Sequence, residues 1–180
     1  MRCSAACSRG YGDIVTIPQQ AQLLTFSVEH DEYALDILRV REIARQLPVR
    51  PIPGAPLALV GVIHLRQAEV IPVLDLRRRF GLPALPADEA GRIIVCVVDG
   101  RLVGLFVDAV LDVITVARGD FSGGAAIFRG ASAGYFSGVC HHRGRLLVLL
   151  NLRRLISSED RIAIDAVREQ VRDPGAQEEP

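Results

Sequence analysis

The chain has 180 residues, 49% of them apolar and only 5% aromatic, and its 21 arginines balance 21 acidic residues to zero net charge. That balance gives no electrostatic basis for binding nucleic acid or an anionic membrane, and no apolar run approaches the ~20 residues of a membrane span. Lysine is absent, which excludes a phosphate-loop lysine and a Schiff-base lysine.

A domain of this size buries roughly 70% of its extended-chain surface and needs no disulfide or metal staple. Cys3 and Cys7 lie near the N-terminus, and Cys96 and Cys140 in apolar segments. That usage predicts free thiols in a reducing cytoplasm. Cys7 follows Ser4-Ala5-Ala6 in the manner of a lipoprotein cleavage site, but no apolar signal core precedes it.

Residues 1–20 read as a flexible tail, small and polar with no sustained period. Leu24, Phe26 and Val28 then alternate with Thr25, Ser27 and Glu29, predicting a strand with one wet face. His30-Asp31-Glu32 reads as the turn and Tyr33 to Ile37 as the returning strand. The spacing of Val40, Ile43 and Ala44 predicts a short helix over Leu38 to Gln46. Pro48, Pro51, Pro53 and Pro56 mark an extended crossing segment. Val60 to Leu65 and Val70 to Leu74 have strand length and composition. Asp75 then stands as N-cap to a helix that runs to Phe80 and ends at Gly81 and Pro83.

After a polar break from Pro83 to Gly91, Asp99-Gly100 joins Arg92–Val98 to Arg101–Val107 as a hairpin. Both parities are apolar: Ile94, Cys96 and Val98 on one face, Ile93, Val95 and Val97 on the other. One face is expected to fill a barrel and the other to meet a sister subdomain or a partner. Val110 to Val116 continues as a strand, and residues 117–134 read as a long surface loop. Tyr135 to Leu150 forms a hairpin around Arg143-Gly144, and Asn151 caps a helix through Ile156. Residues 158–180 read as a weak helix, with Ile164, Val167 and Val171 on one side, and a disordered tail.

The chain repeats itself. Ala34 to Ile43 parallels Gly104 to Val113 at an offset of 70, Gly61 to Arg66 parallels Gly138 to Arg143 at 77, and Val70 to Arg78 parallels Leu146 to Arg154 at 76. Three colinear segments at nearly one offset mean two copies of one β-rich unit. No catalytic constellation accompanies them. Cys140, His141 and His142 alternate along a strand and cannot converge on one ion. Arg77-Arg78-Arg79 reads as a solvated helix face rather than a phosphate patch. Gly123 to Gly130 lacks the strand-loop-helix context of a phosphate cradle, and Asp108 and Asp112 have no partner base or nucleophile. No cofactor is implied.

Phe26 with Tyr33 to Ile43, His64-Leu65-Arg66 with Pro72 to Leu76, and Val103 to Val113 together resemble the CheW family of bacterial chemotaxis coupling proteins, over roughly residues 21–157. The resemblance implies an all-β fold with short helices, in which two intertwined SH3-like five-stranded barrels pack over a hydrophobic seam. It implies a non-enzymatic cytoplasmic adaptor at receptor arrays, meeting the membrane only through the receptor. Its partners would be the regulatory domain of a CheA-like histidine kinase and the cytoplasmic tip of a chemoreceptor. By similarity Val40, Ile43 and Gly61 fall at the kinase contact, and Arg66, Gly104, Val110 and Val113 at the receptor contact. Glu42 and Arg66 match a charged pair of the family, expected to form a salt bridge at the seam. The chain reads His64-Leu65-Arg66-Gln67 where most members read Asn-Leu-Arg-Gly, and the change of offset from 77 to 76 shows one extra residue in that turn. The departure leaves open a non-flagellar pathway such as pilus motility or surface sensing. A small-ligand-binding β domain is the alternative from another class.

Overall fold

A computed structural model describes residues 19–65, 69–85, 90–123 and 134–172, with side chains described through residue 167. Two-residue turns lay down its hairpins. Asp99 and Gly100 both take positive φ (49° and 74°), as do Arg143 and Gly144 (49° and 79°), the geometry that suits the twist of paired strands. They join β6 (Arg92–Val98) to β7 (Arg101–Val107) and β10 (Phe136–His142) to β11 (Arg145–Leu150). β1 (Gln20–Val28) turns at Glu29, φ 58°, into β2 (Asp31–Asp36). The turn is therefore Glu29-His30, one residue earlier than expected. The remaining strands are β3 (Val40–Arg45), β4 (Leu59–Leu65), β5 (Glu69–Asp75), β8 (Ala109–Ala117) and β9 (Phe121–Gly123).

One sheet runs β8-β1-β2-β11-β10-β9 and the other β3-β6-β7-β5-β4. The two repeats have exchanged strands: β1 and β2 of the first sit among strands of the second, while β6 and β7 of the second sit among β3, β4 and β5 of the first. The pairings correspond one for one. β2 lies parallel to β11 as β7 lies parallel to β5, and β1 is antiparallel to β8 as β6 is to β3. Even the bulges repeat. Arg41 is skipped where β3 pairs β6, and Leu111 where β8 pairs β1; Val60 is skipped in β4, and Ser137 in β10. Beyond β3, Arg50 turns back to pair with Val62 through two 2.8 Å backbone bonds. Beyond β8, β9 does the same to β10, placing Ser122 opposite Val139. Each five-stranded unit is thus closed by the continuation of its own edge strand.

Three apolar clusters follow from this exchange. Ile63, Ile71, Val73, Ile93 and Val95 fill one sheet's interior, and Leu23, Ala34, Ile114, Val116, Cys140 and Leu147 the other's. The largest cluster is the seam between them, where Leu24, Phe26, Val28 and Leu35 meet Ile94, Cys96, Val98, Val103 and Leu105. The double-sided apolarity of β6 is thereby explained: even-numbered residues face the seam, while Ile93 and Val95 face inward and Val97 reaches solvent. Phe26, Tyr33 and Phe136 stack along the seam with Phe80, at centroid distances of 5.2 to 6.2 Å.

Several expectations need correction. The helix predicted over Leu38–Gln46 is a short 3-10 turn, Ile37–Arg39, followed by strand β3. Asp36 caps that turn by accepting the Leu38 N–H at 2.9 Å. Spacing alone suited a helix, but pairing with β6 and the β-branched Val40 and Ile43 decide for a strand. The supposed wet face of β1 is not wet at Thr25, which is fully buried. Its hydroxyl donates to the Asp112 carbonyl (3.0 Å) and accepts the Asp112 N–H (3.1 Å), satisfying the bulged edge. The span 117–134 holds a 3-10 turn (Arg118–Asp120) and β9; residues 124–133 lie outside the described residues.

The arginine triplet is not a solvated face either. It lies on α1 (Leu76–Arg79), which Asp75 caps by accepting the Arg78 N–H. Arg77 makes two parallel 2.7 Å bonds to Asp108, and Arg79 pairs with the fully buried Asp160; Arg78 alone is exposed. α2 (Leu152–Leu155), capped by Asn151, is the second repeat's counterpart of α1. α3 (Ser158–Arg172) has no counterpart among the described residues. Ser157 and Asp160 begin it with reciprocal bonds of 3.1 and 2.7 Å, a capping box. Ile164 and Val167 are buried beneath it, and Val171 lies beyond the described side chains. Arg161 and Arg153 converge on Asp99 at 3.0 and 2.9 Å, and Asp165 on Arg101 at 3.0 Å. The helix is therefore strapped to the β6–β7 turn.

The hydrogen bond from Arg161, with Arg153 beside it, holds the Asp99 carboxyl below its ordinary value of 3.8. A depressed carboxyl stabilises the docked helix above that value and ceases to do so as pH falls through its lowered pKa. Burial raises Asp75, which acts in the opposite sense, so the readout must be local. Hydrogen-exchange protection along α3 is expected to fall as pH drops below 3.8 while that of β6 holds; equal loss in both would show that Asp99 does not anchor the helix.

Candidate functional site

β3 and β8 stand at the ends of their strand orders, so one backbone edge of each has no ladder partner among the described residues. They are also the same strand of the two repeats. Val40 corresponds to Val110, Arg41 to Leu111 and Ile43 to Val113, each 70 residues apart. Val40 and Ile43 of the expected kinase contact, and Val110 and Val113 of the expected receptor contact, thus occupy equivalent places on two equivalent edges. Val40 and Val110 are half-buried and lean on the seam cluster. Ile43 and Val113 point outward, 45% and 47% exposed, and Leu111, which the sequence did not single out, is 43% exposed. Each edge offers one anchored valine and an exposed β-branched residue beside a bulge. Bulges re-aim side chains and end regular pairing, as suits a recognition edge.

The two glycines act differently. Gly61 lies at φ 148°, and a Cβ there would stand 2.1 Å from the Arg50 carbonyl oxygen. The Arg50–Val62 bridge that closes the sheet needs a residue without a side chain at that point. Gly104 faces the interior, where a Cβ would come within 2.9 Å of Ile93 Cγ2 and 3.4 Å of Val73 Cγ2. Both are buried, so neither offers a side-chain surface. Gly61 is also at the far end of the strand order from β3, so the structure does not place it beside Val40 and Ile43 in the ladder. Glu42 is half-buried on β3. Arg66, its expected partner, lies outside the described residues, as does Gln67.

The rest of the molecule offers little for chemistry. Among the described residues no group of three or more His, Cys, Asp or Glu side chains gathers as a metal site. Cys140 is buried while its neighbour His141 is exposed. Burial pushes the Cys96 thiol up to about 12, so it keeps its proton and packs as a small hydrophobe. Asp108 serves Arg77 and the Glu29 N–H. An open groove of about 510 Å³ between Ile52–Pro56 and α3 has Glu159 as its one charged wall. No described helix is long and apolar enough to cross a membrane.

Comparison with known proteins agrees with this geometry. The model of the CheW-like domain family matches residues 22–160. The chain is 37% identical over 142 residues to a chemotaxis protein CheW of Rhizobium meliloti, covering 79% of this chain and 91% of that one. It is 33% identical over 147 residues to the CheW of Treponema pallidum, covering 79% and 85%. The crystal structure of the scaffolding protein TtCheW from Thermoanaerobacter tengcongensis superposes with a TM-score of 0.71 at 27% identity, covering 78% of this chain and 94% of that one.

The packing around the glycines sets a test. Gly61→Ala meets rigid backbone at an unfavourable φ and is expected to cost on the order of 4 kcal/mol, strain and overpacking together. Gly104→Ala meets side chains that can shift and should cost about 1–3 kcal/mol. Urea unfolding of both variants measures this; a fully stable Gly61→Ala protein would show that the Arg50 bridge is dispensable.

Proposed function

This chain belongs to the CheW-like domain family, and from that membership we propose that it is a chemotaxis adaptor joining a chemoreceptor to a CheA-like histidine kinase by binding alone. The observation that carries the reading is the pair of equivalent edges, one on each sheet of a rigid two-sheet body. The β3 edge, through Val40 and Ile43, takes the regulatory domain of the kinase. The β8 edge, through Val110 and Val113, takes the cytoplasmic tip of the receptor. Gly61 and Gly104 contribute shape to the sheet that carries β3, by letting it close behind that edge. By the family resemblance, Arg66 belongs to the receptor side, with Glu42 as its expected partner. The protein works in the cytoplasm and reaches the membrane through the receptor. Family and relatives favour chemotaxis over the small-ligand alternative.

Exposed apolar residues supply affinity by leaving water, and a charge placed among them should abolish it without disturbing the core. Co-sedimentation with receptor-containing membranes, with and without the kinase, separates the two edges. Ile43→Asp is expected to lose the kinase by at least about tenfold in affinity while keeping the receptor, and Val113→Asp to do the reverse. Retention of both partners by both folded variants would remove the edges from the mechanism.

A further inference from the structure

The duplication supplies an internal control, because equivalent positions on the two edges can be compared within one molecule. Some positions agree: Val40 and Val110 both lean on the seam, and Ile43 and Val113 are both exposed and β-branched. The arginines have no counterpart. β3 and its approach carry Arg39, Arg41 and Arg45, where β8 carries Ala109, Leu111 and Thr115. Across the ladder, Arg45 sits directly opposite Arg92, while the equivalent pair on the other sheet is Thr115 opposite Gln22. Four basic side chains on one edge thus face four uncharged ones on its twin.

Their pairing is incomplete. Arg41 reaches Glu69 at 2.9 Å. Arg92 donates only to the carbonyls of Ala90 and Gly91. Neither Arg45 nor Arg92 forms an ion pair with a described carboxylate, and like charges directly opposite each other in a sheet are destabilising. Edge strands are often charged simply to prevent stray pairing. That device would serve β8 equally, yet beside its exposed Leu111 and Val113 β8 carries the single charge of Asp112 and no arginine.

We propose that the β3 edge docks an acidic, extended segment of the kinase-side partner, with carboxylates against Arg45 and Arg92 and an apolar residue on Ile43. This rests on the adaptor reading for which partner sits at β3. The chemistry of the segment is set by charge complementarity: backbone groups with no ladder partner, one exposed apolar side chain, and flanking cations with no counterion among the described residues. The β8 edge, which carries the exposed Asp112 and no arginine, selects against such a segment. Binding of that segment at β3 is accordingly weakened by salt.

Arg45→Glu tests this in the full chain, with the purified regulatory domain of the histidine kinase from the same organism as probe. The substitution creates an opposite-charge pair with Arg92, so the melting temperature rises by about 2 °C. Kinase-domain affinity falls by on the order of tenfold as attraction turns to repulsion. The wild type's loss of affinity between about 0.1 M and about 1 M salt, over which the screening length drops from about 10 Å to about 3 Å, is flattened in the variant. Receptor co-sedimentation is unchanged. A variant that binds the kinase domain as the wild type does overturns the acidic-segment proposal and leaves the adaptor reading standing. A wild type that binds neither kinase domain nor receptor membranes overturns the adaptor reading, and this proposal with it.

Discussion

The exchange of strands between the two repeats is the constraint from which the rest follows. Neither repeat contains a complete sheet, because each supplies the β1–β2 type of hairpin to the other's remaining strands. Two half-chains therefore cannot fold separately and then dock; they must find each other while folding, through contacts far apart in sequence. The seam is the direct product of that exchange. Fully burying a Leu, Ile or Phe side chain is worth about 1.5–3 kcal/mol relative to exposure, and the seam contains Leu24, Phe26, Leu35, Leu74, Ile94 and Leu105 at 2% exposure or less. Exposed ion pairs such as Arg41–Glu69 contribute only about 0.2–1 kcal/mol each. The seam holds the molecule together, and the ion pairs of α1 and α3 choose how its ends are trimmed.

Much of this was legible in the residues. Asp99-Gly100 and Arg143-Gly144 announced their hairpins because a two-residue turn needs positive φ and few residues tolerate it. The offsets of 70, 76 and 77 announced the duplication, and the structure repeats it down to the bulges. What was hidden depended on tertiary pairing. β3 looked helical because Val40, Ile43 and Ala44 satisfy a period of 3.6 as well as a strand with one bulge does, and only β6 decides between them. Thr25 looked wet because no local signal shows that a hydroxyl will serve a bulge 87 residues away. Arg77 and Arg79 looked solvated for the same reason, since their carboxylates, Asp108 and Asp160, come from distant parts of the chain. The equivalence of Val40 with Val110 lay in the alignment of the repeats, but its meaning required knowing that both strands are edges.

A fold with two equivalent edges has a difficulty built in, because identical edges would bind one partner twice. Specificity is a difference of affinities, so an adaptor made by duplication must let its edges diverge without disturbing the sheets that carry them. The chain shows where such divergence is tolerated. Val40 and Val110 are the same residue because both lean on the seam, where a change of volume is felt throughout a close-packed core. Arg41 and Leu111 occupy a bulge, outside regular pairing, and Arg45 and Thr115 face solvent. Substitutions at those places cost the fold little and change the edge's charge completely. α3 adds a second asymmetry, since it covers the turn after β6 while no described helix covers the corresponding turn after β1. The valines on the seam thus preserve one architecture twice, while Arg41 against Leu111 and Arg45 against Thr115 make the two copies unlike. The difference between the edges gives a symmetric body two chemically distinct surfaces.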